Sequence, residues 1–402
     1  MPAPRRAPSR IDADCVIAGG GPAGLMLGLL LARAGVDVVV LEKHADFLRD
    51  FRGDTIHPST QEALHELGLL DEFLALPHAD TERITVTWHG EEGVIADFSR
   101  LPLRRRVITF MPQWDFLDLL ARAGEQEAPY RLLRSTRVEG LLRDADRVTG
   151  VRAVGPDGPL EVRARLVVGA DGRDSRVRER AGLVPRGKAA GMDVLWFRLP
   201  KRAGERHPFV QAGAGMIIAI DRGDFLQVAH VIPAGGWQGS AADLARMRDR
   251  IARISPRLSE AVSRLTPSDV HLLRVRIERL RRWWSEGLLC IGDAAHAMSP
   301  AGGVGINLAL QDAIAAARIL TPTLHAGGAV PGSVLRRVQR RRAFPTIVTQ
   351  AIQRRMQAPL LAERAPGAPL PLMLRLLRDH PRLTHLTGRF VGMGVRPERI
   401  GR

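Results

Sequence analysis

Apolar residues near the start of the chain occur in two short runs that flank a longer apolar stretch. Residues 13–18 and 36–41 are continuous apolar runs typical of buried strands, and residues 22–34 form a stretch of helical length that begins with Pro22. Gly19, Gly21 and Gly24 lie where the first run meets the helix. The pattern therefore predicts a βαβ unit with a glycine-rich turn after its first strand.

The pattern of apolar and polar residues also predicts the helices and strands of the remaining chain. Helices are predicted over 59–67, 114–123, 243–254 and 306–320, and strands over 83–89, 94–98, 160–170, 193–199, 216–220, 225–232, 270–277 and 288–291. The tail from Ser333 is predicted to be helical and to be interrupted by Pro345, Pro359 and Pro366. Strands alternate with helices at both ends of the chain. The middle is rich in strands whose apolar and polar residues alternate.

This order predicts an α/β fold with a Rossmann-like nucleotide-binding domain, an inserted antiparallel β-sheet domain for the substrate and a C-terminal helical segment. The nucleotide-binding domain is expected to be discontinuous, over 11–80, 105–185 and 287–325. The substrate sheet is expected over 81–104 and 186–286. The C-terminal helical segment is expected over 326–402.

The glycine turn and the residue that ends the second strand have the chemistry of a dinucleotide site. Gly19 permits a tight bend, Gly21 lets a pyrophosphate approach the backbone, and Gly24 lets helix and strand pack closely. Free N–H groups at the helix start can then bind phosphate. Glu42, which precedes Lys43, lies roughly 20 residues further on, where a carboxylate can accept hydrogen bonds from ribose hydroxyls.

Composition and charge narrow the function classes. The 402 residues carry a net charge of +16, but only three of the 59 basic residues are lysine, and the arginines are scattered among acidic residues without stacking aromatics. We therefore do not expect nucleic-acid binding. A local basic run is predicted to be a solvated helix face; its members are Arg336, Arg337, Arg340, Arg341 and Arg342.

The two cysteines and the chain's hydropathy bear on its location. Cys15 and Cys290 lie in apolar runs without metal-type spacing, so they are expected to be buried thiols in a reducing compartment. The first ten residues lack the apolar segment of a signal peptide, and no stretch is expected to span a membrane. These features predict a cytoplasmic protein, with monomer and homodimer both open.

Three later segments complete a family pattern. Residues 165–178 combine an apolar strand with Asp171-Gly172 and end in Arg178. Residues 289–296 contain Gly292-Asp293, and residues 300–307 form a Gly-rich loop ending in Asn307. In this order, and over essentially the whole chain, the segments resemble the motifs of class A flavoprotein monooxygenases, the para-hydroxybenzoate hydroxylase-like and ubiquinone-biosynthesis hydroxylase-like enzymes.

The resemblance implies a function and a set of cofactor contacts. NAD(P)H is expected to reduce bound FAD, O₂ to add to it as a C4a-hydroperoxide, and one oxygen to pass to a small-molecule substrate. The residues expected at the cofactor are Gly19, Gly21, Pro22, Ala23, Gly24, Glu42, Lys43, Arg52, Gln113, Asp171, Asp293, Pro300, Gly303, Gly305, Ile306 and Asn307. Pro300 is expected at the reacting edge of the flavin ring, and no other catalytic residue is assigned.

The individual residues carry alternative readings. His296 could act as a base, but a hydrogen-bonded structural role is favoured because it follows a strand among small residues. Arg52 is expected near the adenosine, pyrophosphate and nicotinamide, and Gln113 near the ribityl chain, although both could be structural. Asp171 and Arg178 are expected to brace the cofactor sites, and Asp293 to bind ribityl or ribose hydroxyls.

The expected substrate is an apolar aromatic, quinonoid or polyketide-like molecule. Its layer offers few polar anchors among apolar residues, namely Gln211, Gln227, His207 and His230 among Trp196, Phe197, Met216, Ile218 and Phe225. The only tyrosine, Tyr130, lies in the nucleotide-binding part, which departs from para-hydroxybenzoate hydroxylase. The type of oxygen insertion and the choice between NADH and NADPH stay open.

Three other functions fit the same fold. A prenyl-chain reductase would bind FAD without consuming oxygen, and a flavin-loaded binding or sensor protein would not oxidise NAD(P)H. A flavin-dependent halogenase would need paired tryptophans and a catalytic lysine, and residues 194–200 contain only Trp196.

Overall fold

The structure is a computed structural model of the whole chain. It describes residues 8–48, 55–88, 91–201, 204–205, 207–361 and 369–401.

The described residues form α-helices separated by single strands or by runs of consecutive strands, and they end in four consecutive helices. The strands are β1 (Ser9–Ala18), β2 (Val38–Leu41), β3 (Thr55–Ile56), β4 (Ala79–Thr81), β5 (Arg83–Trp88), β6 (Glu91–Asp97), β7 (Ile108–Phe110), β8 (Tyr130–Leu133), β9 (Arg137–Asp144), β10 (Arg147–Gly155), β11 (Gly158–Gly169), β12 (Pro185–Pro200), β13 (Val210–Ala212), β14 (Met216–Asp221), β15 (Phe225–Pro233), β16 (His271–Leu280), β17 (Trp284–Ser285), β18 (Leu288–Cys290) and β19 (His296–Ala297). The helices are α1 (Pro22–Arg33), α2 (Pro58–Glu66), α3 (Leu70–Ala75), α4 (Gln113–Glu125), α5 (Arg176–Arg180), α6 (Ala241–Ile254), α7 (Ser259–Ser263), α8 (Val304–His325), α9 (Gly332–Leu361), α10 (Leu372–Asp379) and α11 (Arg382–Met393).

The first sheet has a parallel centre in the order β18-β11-β1-β2-β8. Its central strands are fully buried apolar runs, such as Val38–Leu41, as expected when helices cover both faces of a parallel sheet. The hairpin β9-β10 extends from β11 in antiparallel fashion. The predicted βαβ unit is confirmed, whereas the β9-β10 hairpin was not predicted.

The second sheet is largely antiparallel, in the order β19-β16-β12-β15-β14-β13-β5-β6. Its long central strand β12 pairs with β15 on one side and β16 on the other. The ribbon β5-β6 joins it through β13, which makes the predicted inserted sheet continuous with the early ribbon. The predicted fold class is confirmed. The exact domain division stays a prediction, although pairing puts Trp284–Ser285 in the first sheet and His296–Ala297 in the second.

The C-terminal part is helical, but α9 is one long helix. It runs from Gly332 to Leu361 through Pro345 and Pro359, so the prediction that these prolines interrupt it was wrong. A proline inside a helix removes one backbone hydrogen bond. Here the side chains before and after Pro345 are bound to other elements, and this tertiary packing outweighs the local preference. Pro366 lies outside the described residues.

Helix α8 is the longest apolar element in the described chain. The stretch Ala301–His325 is long and apolar enough to cross a membrane, contrary to expectation, but 72% of the relevant window is buried inside the protein. It packs against α1 and α9. This burial is the pattern of a core helix.

Candidate functional site

The glycine turn after β1 leaves open space above the start of α1. Gly19 has φ +107, a backbone conformation that favours glycine, and the N–H of Gly20 donates to Glu42 Oε2 at 2.8 Å. A Cβ placed on Gly21 would meet nothing within 4 Å, whereas one on Gly24 would collide with the backbone of Gly19. Gly24 is therefore required by packing, and Gly21 borders a space that the protein does not fill.

Glu42 lies at the end of β2 beside this turn. It is buried, and its second carboxylate oxygen accepts the N–H of His44 at 3.0 Å, while Lys43 between them is exposed. Each oxygen of a carboxylate accepts more than one hydrogen bond. Glu42 is thus oriented by the backbone beside the glycine turn.

The helices α1 and α8 both begin at a glycine without a side-chain cap. The residue before α1 is Gly21, and the residue before α8 is Gly303, which is left-handed with φ +62. The first N–H groups of a helix have no partner inside it, and the helix start carries partial positive charge. Pro22 and Ala23 form the first turn of α1, and Gly305, Ile306 and Asn307 follow the start of α8.

A short helical turn, Gly292–Ala294, packs against both of these helices. Gly292 has φ +57, and a Cβ there would lie 3.2 Å from the Cβ of Ala23 and 3.3 Å from that of Ala309. The Gly292–Ala294 turn is therefore in contact with the start of α1. Asp293 is partly exposed and accepts a hydrogen bond from Arg173 Nε at 2.9 Å.

The Asp171 motif lies on the other side of the glycine turn. A Cβ on Gly19 would meet the backbone of Ala170 and Asp171. The Asp171 carboxylate accepts hydrogen bonds from Ser175 Oγ and from the Val177 N–H at 3.1 Å, so it is directed at the start of α5. Burial raises the pKa of Asp171, although these hydrogen bonds oppose the shift.

Arg178 and Arg173 join this motif to the late turn. Arg178 donates to the carbonyl oxygens of Ala294, at 3.2 Å, and Arg173, at 2.7 Å. Together with the Arg173–Asp293 pair, these hydrogen bonds hold residues 171–178 against the Gly292–Ala294 turn. The role of Asp171 and Arg178 at the cofactor sites stays a prediction.

The glycine-rich loop before α8 is fixed against residues 55–60. Thr55 Oγ1 donates to the Gly303 carbonyl at 3.0 Å, and a Cβ on Gly303 would collide with the Thr55 side chain. Asn307 Oδ1 accepts from the His57 N–H at 2.9 Å and from Thr60 Oγ1 at 2.7 Å. The Asn307 side chain is thus engaged by the protein and fixes the loop against residues 55–60.

The chain around Pro300 is held by α9. Gln353 accepts the Ser299 N–H at 3.1 Å and donates to the carbonyls of Ser299 and Ala301 at 2.8 and 2.9 Å. Gln350 donates to the Ala297 carbonyl at 2.9 Å. Pro300 itself is half-buried and begins the Ala301–Gly303 turn. Sequence analysis missed both glutamines, which form a polar stripe at helical spacing.

A buried charged network lies behind the Gly292–Ala294 turn. Asp312 Oδ2 accepts from His296 Nε2 at 2.5 Å and from the Gly292 N–H at 3.1 Å, and its Oδ1 accepts from Arg342 Nε at 2.9 Å. Burial alone would raise the pKa of Asp312, but the charges and hydrogen bonds of His296 and Arg342 outweigh it and hold the pKa below its ordinary value. We call Asp312, His296, Arg342 and Glu398 the buried charge network.

Glu398 ends this network near the C-terminus. It is 3% exposed and pairs with Arg318 at 2.7 Å, Arg341 at 2.5 Å and Arg342 at 3.3 Å. The prediction of a solvated basic face was therefore wrong for Arg342, which is fully buried, and incomplete for Arg341. Arg336, Arg337 and Arg340 are exposed as predicted. Only the tertiary fold supplies the acidic partners that permit this burial.

His296 and two other predicted residues are placed as follows. His296 is 2% exposed and bound to Asp312, which agrees with the favoured structural role. Gln113 begins α4 and is half-buried. Arg52 lies outside the described residues.

The second sheet separates the expected substrate anchors onto two faces. Strand register places Trp196 beside Ala229 and Ile218, and Val194 beside Val231 and Met216. Ala301 of the glycine-rich loop packs against this face. We call it the loop face; its members are Val194, Trp196, Met216, Ile218, Gln227, Ala229 and Val231.

The opposite face is covered by α6 and carries the remaining buried anchors. Phe197 and His230 lie there with Leu195 and Ile217, so they belong to the predicted sheet but face away from Trp196. Successive residues of a strand point to opposite faces, which explains the separation. Burial lowers the pKa of His230 to about 4, opposed by its hydrogen bond to the Met216 carbonyl.

The donor set fits an extended anionic dinucleotide such as FAD. A glycine-bordered space lies at the start of α1, a buried carboxylate lies beside it, and a second uncapped helix start lies beyond the Gly292–Ala294 turn. N–H groups at helix starts bind phosphate and stabilise negative charge on a reduced flavin. The residues present can hold both ends of the molecule.

Comparison with known proteins adds sequence relatives. The family described as FAD binding domain matches residues 12–352. A 6-methylpretetramide 4-monooxygenase of Streptomyces rimosus is 36% identical over 79% of this chain and 77% of its own length. A digeranylgeranylglycerophospholipid reductase of Methanopyrus kandleri is 31% identical over 75% of this chain and 78% of its own length.

A solved structure shows the same fold. The anhydrotetracycline hydroxylase of Streptomyces rimosus superimposes with a TM-score of 0.77 at 24% identity, over 98% of this chain and 78% of that one. The fold is thus shared over nearly the whole of this chain.

Proposed function

Because this chain belongs to the FAD-binding-domain family of flavoprotein monooxygenases, we propose that it uses NAD(P)H and O₂ to hydroxylate an apolar ring compound of the aromatic, quinonoid or polyketide class. Two free, buried thiols, Cys15 and Cys290, support the further proposal that it works in the reducing cytoplasm.

One observation carries the proposal. Helices α1 and α8, whose starts have no side-chain cap, both contact the Gly292–Ala294 turn, and the loop that begins α8 packs against the apolar loop face. A dinucleotide bound along both helix starts would therefore have one end beside an apolar wall. Apolar walls with a few polar groups are typical of sites for small organic molecules.

The residues divide the binding task by position. The N–H groups at the start of α1 would bind the pyrophosphate, and Glu42 would accept a hydrogen bond from a ribose hydroxyl. Asp293, oriented by Arg173, would accept from a hydroxyl nearer the flavin. The backbone from Gly303 to Asn307 would face the ring, and Pro300 would lie at its reacting edge.

Bound FAD supplies the electron transfer from NAD(P)H and the activation of O₂. In the overall reaction NAD(P)H, a proton and O₂ are consumed, one oxygen atom becomes the product's hydroxyl group and the other leaves as water. The chain orients the substrate against the loop face and keeps bulk water from the reacting edge. The start of α8 would stabilise negative charge on a bound flavin ring.

We propose the substrate class from two observations, the apolar side chains of the loop face and the substrate named for one relative. The S. rimosus relative acts on 6-methylpretetramide, and we propose a flat substrate of comparable type. The loop face offers valine, methionine, isoleucine and tryptophan side chains to such a molecule.

The test uses the purified holoprotein with 6-methylpretetramide or anhydrotetracycline as probes. We expect bound FAD, NAD(P)H oxidation matched by O₂ uptake, and a product that gains one labelled oxygen atom from ¹⁸O₂. Anaerobic reduction of the probe by two hydrogen atoms would instead establish a reductase, the activity named for the M. kandleri relative. An absence of NAD(P)H oxidation with every flat ring compound would leave only a binding or sensor role.

A further inference from the structure

Two buried side-chain N–H groups of the second sheet have no acceptor among the described residues. They are Trp196 Nε1 on β12 and Gln227 Nε2 on β15, and both atoms are shielded from solvent. A buried donor left unpaired costs about 1–3 kcal/mol. Two such donors in one region indicate that a bound molecule supplies their acceptors.

The orientation of the Gln227 amide is settled by Arg222. Arg222 Nε and one terminal nitrogen of the guanidinium group lie 3.1 and 3.0 Å from Gln227 Oε1. A guanidinium group only donates hydrogen bonds, so the amide oxygen must be the atom that faces Arg222. The NH₂ group therefore points away from Arg222, and its hydrogens need another acceptor.

The two donors lie on the same face of the sheet and close together. Trp196 is opposite Ala229, and Gln227 is opposite Arg198, so Trp196 and Gln227 occupy diagonal positions on adjacent strands. Diagonal neighbours on one face have Cα atoms about 7–8 Å apart, a span that long side chains cross easily. Both therefore belong to the loop face, against which Ala301 packs.

The surroundings of Trp196 are apolar, whereas Gln227 lies beside the guanidinium group of Arg222 and opposite Arg198. Met216, Ile218 and Val231 occupy the adjoining positions of the loop face. Such a wall fits the flat face of a ring system, while the two N–H groups fit oxygen atoms at its edge.

We infer that Trp196 and Gln227 are specificity residues that together bind two acceptor oxygens on one edge of a flat substrate. This inference rests on the proposed monooxygenase function. The substrate class is thereby narrowed to ring compounds with neighbouring carbonyl or phenolic oxygens, as opposed to hydrocarbons or singly oxygenated rings.

Two variants remove the donors with little change in side-chain shape. Trp196→Phe keeps an aromatic ring but lacks the N–H. Gln227→Glu keeps an oxygen for Arg222 while losing the NH₂ group. Thr87→Val is the matched control, because Thr87 also has an unpartnered hydroxyl but lies in the row of Gln211 and Ile217, on the opposite face.

The measurement is probe affinity, from titrations of the flavin spectrum of each holoprotein with alizarin and with anthrone. Alizarin carries neighbouring oxygens on one edge, whereas anthrone carries one. We expect each variant to weaken alizarin binding about 10- to 100-fold, and Thr87→Val to leave it unchanged. Anthrone should bind weakly to the wild type and lose less in either variant.

Turnover separates this inference from the proposed function. With a substrate that is oxygenated, the variants should raise KM at nearly constant kcat, and FAD affinity should stay at the wild-type value. Oxygenation with unchanged KM and unchanged alizarin affinity in both variants would overturn the inference and leave the function standing. Failure of all oxygenation with intact alizarin discrimination would overturn the function alone.

Discussion

Replacing Arg342 with methionine tests whether the buried charge network holds the site together. Arg342 is fully buried and donates to Asp312 at 2.9 Å, to Glu398 at 3.3 Å and to the Arg396 carbonyl at 3.1 Å. The substitution keeps most of the apolar stem and removes the charge. It therefore isolates the contribution of the guanidinium group.

The size of the expected stability loss depends on which partners Asp312 and Glu398 keep in the variant. Glu398 keeps Arg318 and Arg341, but Asp312, with no exposed surface, keeps only His296 and a backbone N–H. Removing one partner of a buried ion pair costs about 3–5 kcal/mol because the other charge stays buried. Since one of the two acids is still neutralised, we expect a loss of about 3 kcal/mol in the free energy of unfolding.

Urea unfolding of the holoprotein, followed by tryptophan fluorescence, measures this loss. Arg337→Met is the control, because Arg337 is exposed on the same helix, and it should change stability by less than about 0.5 kcal/mol. Adding Asp312→Asn to Arg342→Met should recover at least about 1 kcal/mol relative to additivity. Arg342→Met with the stability and FAD affinity of the wild type would refute the role given to the network.

Three further predictions concern the glycines and the buried histidines. Gly21→Ala should weaken FAD binding while leaving the apoprotein's stability unchanged, because its Cβ meets only open space within the chain; equal FAD dissociation constants for Gly21→Ala and the distant control Gly93→Ala would contradict it. Gly303→Ala should destabilise the apoprotein by about 1–3 kcal/mol in thermal unfolding, because φ +62 and the Thr55 side chain both oppose a Cβ, whereas Gly305→Ala, with its nearest neighbour at 3.9 Å, should not. Burial lowers the pKa of His57 and of His230 from 6.5 to about 4, so between these pH values the unfolded chain binds protons that the native state does not. The free energy of unfolding should therefore fall as the pH is lowered through this window, by up to about 3 kcal/mol per histidine, and a pH series on His230→Phe that keeps the wild-type slope would count against this reasoning.

Several features were accessible from local sequence alone. The glycine turn, the strand before it and the acid after it lie within about thirty residues, so residue type and spacing are enough to predict the βαβ unit. The alternating strands 216–220 and 225–232 were placed to within a residue or two of β14 and β15. In each case the decisive interaction is between near neighbours in the chain.

Other features depended on contacts that no local pattern contains. The basic run on α9 has the composition of a solvated face, yet Arg342 is buried because Asp312 and Glu398, distant in sequence, meet it there. Gln350 and Gln353 look like ordinary polar helix residues until the chain around Pro300 packs beside them. Pro345 is accommodated for the same reason.

The sequence by itself determined the class of this protein, because its motifs place glycines and acids where a dinucleotide requires them. The tertiary structure alone decided which polar groups form hydrogen bonds within the protein and which are available to a ligand. Asn307, Asp171 and His296 are engaged within the protein, while Trp196 and Gln227 present unpaired donors on the loop face. Hydrogen-bond satisfaction depends on partners from distant segments, and those partners meet only in the folded chain.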